Sequence, residues 1–146
     1  MESTNTIFKD LYLQVCTETK THLNEKTLQS IISTFPALIV ADCDGNFDKD
    51  EKGYLLNISK NLVPEDINVD EEKELCVAEI YSVSISLLIN KDRWEDKIFN
   101  LIRSEINNSP DDKELIESMM LGMASASEGI SKIEEQTINR IREKLI

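Results

Sequence analysis

A chain of 146 residues that sets 28 Asp and Glu against 16 Lys and Arg carries a formal charge of −12. Its 40% apolar content excludes a disordered acidic tail, and its 4 Gly and 3 Pro are too few for turn-rich sandwiches or barrels, which leaves one all-α domain over residues 1–146. The acid excess argues against bare nucleic acid and anionic lipid as direct partners, because affinity for phosphate comes from Lys and Arg displacing counterions; cations and basic protein surfaces remain.

Residues 6–20 place Ile7, Phe8, Leu11, Tyr12 and Val15 on one face of a first helix. Asn24 is an N-cap for a second, striped by Leu28, Ile31, Ile32, Phe35, Leu38 and Ile39, and Pro36 within it predicts a kink or a fresh start. Residues 42–51 read D-C-D-G-N-F-D-K-D-E and form a loop. Its end, Asp48-x-x-Glu51, is a capping box opening a third helix with Leu55, Ile58 and Leu62. Residues 63–69, with Pro64 and its acids, are the longest connection. Asp70 caps a fourth helix to about Asn90, apolar enough through Leu75, Val77, Ile80, Val83, Ile85, Leu87, Leu88 and Ile89 to be the central one. Trp94, Ile98, Leu101, Ile102 and Ile106 mark a fifth. Ser109-Pro110-Asp111-Asp112 starts a sixth carrying Leu115, Ile116, Met119, Met120 and Met123, and Ser131-x-x-Glu134 caps a seventh with Ile138, Ile141 and Leu145. The expected architecture is a single compact bundle of about seven helices.

The chain repeats itself. Ile31, Ile32, Phe35, Ile39 and Gly45 align with Leu115, Ile116, Met119, Met123 and Gly129, and after the glycines both copies run hydrophobe, then Glu, then a helix. Two related helix–loop–helix units, about 28–62 and 112–146, are expected to pack about a pseudo-twofold axis. The second loop, Glu128-Gly129-Ile130-Ser131, has few carboxylates. The first concentrates Asp42, Asp44, Asp48, Asp50 and Glu51 against Lys49 alone. Residues 42–79 as a whole hold twelve acids and four bases, two thirds of the net charge, and Glu65, Asp66, Asp70, Glu71, Glu72 and Glu74 are the candidate contact for a basic partner.

Two roles are open for the loop acids. A hard cation, Ca²⁺ or Mg²⁺, takes oxygen ligands around a turn, and Gly45 permits the turn. In an EF-hand register Asp42, Asp44, Gly45, Phe47, Asp48 and Glu51 would fill positions three, five, six, eight, nine and twelve, but Val40 stands at the first, so affinity would fall to roughly 10⁻⁴–10⁻³ M. Alternatively Gly45 ends the second helix, Asp48 and Glu51 cap the third, and Asp42 and Asp44 are solvated. No cofactor is required in either case.

The run A-D-C-D-G-N-F-D-K-D-E-K-G-Y-L, after a helical apolar stripe and before L-N-I-S-K-N-L, resembles the hallmark of the TerB-like (tellurite-resistance) family over residues 31–62, and more weakly over 115–145. The resemblance implies an acidic all-α domain of about seven helices, no catalytic reaction, a cytoplasmic location, and metal-linked or scaffolding roles in stress and phage-defence systems. Asp44, Gly45 and Glu51 stand at the family's hallmark positions, supplemented by Asp42 and Asp48.

Nothing else argues for an enzyme. His22 is the single histidine, and the glycines at 45, 53, 122 and 129 are dispersed, so neither a Ser/His/Asp set, nor a His-rich metal site, nor a phosphate loop can be assembled. Three cysteines, Cys16, Cys43 and Cys76, at unpatterned spacings suggest reduced thiols, and Asp42 and Asp44 should raise the pKa of Cys43. No basic-apolar leader or run near the ~20 residues of a membrane span is visible. The expectation is a non-enzymatic, cytoplasmic protein-binding module without membrane insertion, tuned at residues 42–51 by a divalent cation. The alternative is an inhibitor or immunity protein, DNA-mimicking in one form, whose acidic face blocks a basic toxin, nuclease or DNA-binding protein.

Overall fold

The computed structural model, which describes residues 4–126 and 129–145, folds the chain into seven helices with no strand among those residues. In order they are α1 (Thr4–Thr19), α2 (Glu25–Asp42), α3 (Lys49–Asn61), α4 (Asp70–Ile89), α5 (Lys91–Asn108), α6 (Pro110–Ala124) and α7 (Lys132–Lys144). Glu128, the acid of the second loop, lies outside the described residues.

Local chemistry sets most helix ends. The Asn24 side chain accepts the Thr27 N–H at 2.7 Å, which relieves one orphan donor of α2. Capping boxes close on both sides at α3 (Asp48 and Glu51) and α7 (Ser131 and Glu134). Pro110 opens α6 where its missing N–H costs nothing, although Ser109 makes no side-chain cap bond. Asp70 is not the cap of α4. Val69 holds that position without a side-chain bond, and Asp70, Glu71 and Glu72 form the first turn, where the helix dipole favours negative charge.

Packing bears on two expectations. Of the two outcomes expected at Pro36, the fresh start does not occur: α2 is one helix from Glu25 to Asp42. Pro36 has no N–H for the Ile32 carbonyl, but every side chain from Thr34 to Ala41 is buried, and that all-round contact offsets the missing bond. α2 is a central helix beside α4: it packs on α4, α5, α6 and α7, while α4 packs on α1, α2, α3 and α5. In α4 Leu75 and Ile89 are 63% and 75% exposed, and the first fully buried side chain is Ile80.

The core is one continuous cluster. Leu11 and Val15 of α1, Val83 and Leu87 of α4, Trp94, Ile98 and Ile102 of α5, Ile116, Met120 and Met123 of α6, and Ile138 and Ile141 of α7 surround Phe35 and Leu38 of α2. Phe35 meets Phe99 edge to face, ring centroids 6.1 Å apart, the geometry that aromatic quadrupoles favour. With the apolar faces so used, the loop after α2 and the first half of α4 are left on the surface.

Candidate functional site

The α2–α3 loop is built by its own backbone. Gly45 takes φ +77° and donates its N–H to the Asp42 carbonyl at 2.9 Å, a left-handed turn that a side chain would strain. Asp44 accepts the Asn46 N–H at 2.9 Å, the side-chain turn typical of aspartate. Asp48 accepts the Glu51 N–H at 2.8 Å while Glu51 accepts the Asp48 N–H at 3.0 Å. Gly129, φ +98°, and the Ser131–Glu134 box repeat this arrangement in the α6–α7 loop, where Ser131 donates its N–H to Glu134 at 2.9 Å.

The two loops face each other across an open cleft of about 600 Å³. Asp44, Asp48, Asp50 and Glu51 line one side, Ser131 and Glu134 the other. Glu51 and Glu134 are only 4% and 7% exposed, so two carboxyl groups are held out of water at adjoining helix starts. Burial first, and then the carboxylates of Asp48, Glu134 and Asp44, push Glu51 up from 4.5 to about 7, against the opposite pull of the Asp48 N–H.

Asp42 is not part of this cleft. It ends α2 in a second groove of about 550 Å³, where Lys91 Nζ lies 2.9 Å from its carboxylate and Glu95, Arg140 and Lys144 complete a mixed-charge lining. Cys43 shares that groove. Burial pushes its thiol up, a hydrogen bond with Thr137 pulls the other way, and Asp44, Glu134 and Glu51 add to the rise, which leaves a poor nucleophile.

As they stand, the five loop acids are not arranged to hold a metal ion. Asp42 is paired with a lysine, Asp48 and Glu51 accept backbone N–H groups, and among the described residues no group of three or more His, Cys, Asp or Glu side chains is placed to ligate one. Asp48 and Glu51 cap α3, Asp44 closes a side-chain turn, and Asp42 pairs with Lys91. His22 is exposed on the α1–α2 connection.

The second acidic segment is differently placed. Glu65, Asp66, Asp70, Glu71, Glu72 and Glu74 are all exposed, and none belongs to an ion pair among the described residues. They occupy the α3–α4 connection and the start of α4, and Glu65, Asp70 and Glu74 line one groove. Lys91, Arg140 and Glu134 were not singled out by sequence as site residues. The Ser131-x-x-Glu134 spacing marks a cap, but only the packing of α7 on α2 brings that glutamate opposite Glu51.

A scan against family models and searches of curated proteins and of solved structures return no match for this chain. No helix among the described residues is long and apolar enough to cross a membrane.

Proposed function

We propose that this chain is a non-enzymatic interaction module whose acidic segment, residues 65–74, docks onto a basic surface of a partner protein in the cytoplasm. The observation that carries the reading is the state of its six carboxylates: packed into ten residues, exposed, and without a described ion pair. Like charges so close repel one another, and the dipole of α4 compensates only those in its first turn. A basic surface would relieve that repulsion and would be steered toward it from a distance.

A role in stress or phage defence follows from the TerB-like motif alone, and the paired loops bear on the two-unit arrangement that the motif implies. α2–α3 and α6–α7 each pass through a glycine at positive φ into a capping box with a buried glutamate, α2 packs on α6, and each of these packs on the other unit's second helix. A pseudo-twofold relation between two units would produce this reciprocal pattern. The reading does not run through a metal: Asp42 is paired with Lys91, and Asp48 and Glu51 each already accept a backbone N–H.

The test is a chain in which Glu65, Glu71, Glu72 and Glu74 become Gln, and Asp66 and Asp70 become Asn. Expected is loss of the protein that co-purifies with the unaltered chain from its native host, a protein released from the unaltered chain by raising salt past the range in which exposed charges are screened. Retention of the same partner by the neutralised chain would overturn the proposal. If the partner is a nuclease or toxin silenced on binding, the module works as an inhibitor or immunity protein.

A further inference from the structure

The first half of α4 has no fully buried side chain before Ile80. Residues 70–75 are all exposed and Cys76 is the first side chain packed against the core, which leaves about 9 Å of exposed helix at 1.5 Å per residue. Beneath it the end of α3, the α3–α4 connection and α4 enclose an open groove of about 640 Å³, within the size range of ligand clefts.

The groove is not simply acidic. Val63, Pro64, Ile67 and Val77 give it an apolar, half-buried floor, and the Ile67 N–H donates to the Pro64 carbonyl at 3.1 Å, which folds the connection back to form that floor. Glu65, Asp70 and Glu74 form the rim. Lys60 and Lys73 also line the groove, so its rim holds three carboxylates against two ammonium groups, with Asp66, Glu71 and Glu72 exposed on the adjoining chain.

Charge alone accounts for the rim and not for the floor. Exposed ion pairs contribute little each, so the acids can steer and orient a ligand but hold it weakly. An apolar side chain of leucine size removed from water is worth about ten- to a hundredfold in affinity. We propose that this groove seats a cationic amphipathic segment of the partner protein, with one Leu-, Ile- or Met-sized side chain on the Val63–Ile67–Val77 floor and flanking Lys or Arg against Glu65, Asp70 and Glu74. The proposal rests on the protein-binding reading of the acidic segment and adds to it the form of the ligand.

Two probes separate the two statements in NMR titrations of the isotope-labelled full chain. One is a short amidated peptide of Lys and Leu with the leucines at helical spacing, and the other is amidated oligolysine with the same number of lysines. Expected is binding of the amphipathic peptide at least about tenfold tighter than oligolysine, with the largest shifts at Val63, Ile67 and Val77. Ile67→Ser should bring the two peptides to equal affinity. Should oligolysine bind the unaltered chain as tightly, or the shifts fall outside this groove, the amphipathic ligand is overturned while the acidic-face reading stands. Should neither peptide bind, both fall. The comparison on the unaltered chain does not depend on the folding of the Ile67 variant.

Discussion

Replacing Phe35 with alanine is expected to remove about 3–5 kcal/mol of folding stability, the range for deleting a buried aromatic ring. Phe35 is 0% exposed at the middle of α2, and its ring is met edge-on by Phe99. The residues around it belong to five helices, so the cavity cannot close by moving one of them. Against a total stability of order 5–15 kcal/mol, the loss should lower the thermal midpoint by about 10 °C. Leu75→Ala, at a 63% exposed position, should change stability by no more than about 0.5 kcal/mol. A Phe35→Ala cost as small as that of Leu75→Ala, measured by denaturant unfolding, would place the core elsewhere.

The second large effect is a dependence on pH. The Glu51 carboxyl is pushed up to about 7 in the fold from 4.5. Between those values the native chain holds a proton that the unfolded chain has released. Its contribution to stability is therefore fully present below about pH 4.5 and is lost as pH rises through about 7. The slope from this one group approaches about 1.4 kcal/mol per pH unit. Glu105, raised by burial and by the neighbouring Asp112 carboxyl, acts in the same sense. Glu51→Gln keeps a side chain able to accept the Asp48 N–H, so the capping box survives and the slope should flatten. An unchanged slope in denaturant unfolding at pH 5, 6, 7 and 8 would show that Glu51 is not the titrating group.

How much of this was legible in the sequence follows the range of the interactions involved. The helix starts at Asn24, Asp48 and Ser131 were, because a cap is decided within four residues. The continuity of α2 through Pro36 was not, because it depends on neighbours packed all round the helix. The central place of α2 was equally hidden: the apolar run of α4 is as strong in sequence, yet its Leu75 and Ile89 face outward. Among the loop acids, charge was visible but direction was not. Asp42 ends α2 beside Lys91, while Asp44, Asp48, Asp50 and Glu51 turn to the opposite cleft. Nor does spacing reveal that Glu134 faces Glu51 or that residues 70–75 are left exposed, since both follow from helix packing.

The most direct measurement is carbodiimide footprinting of carboxylates on the full chain, alone and in complex with the protein it captures in its native host. Expected is protection of Glu65, Asp66, Asp70, Glu71, Glu72 and Glu74 on complex formation, with labelling of Asp44, Asp50 and Glu114 unchanged. Protection confined to the 42–51 loop, with residues 65–74 labelled as in the isolated chain, would contradict the assignment of recognition to the start of α4.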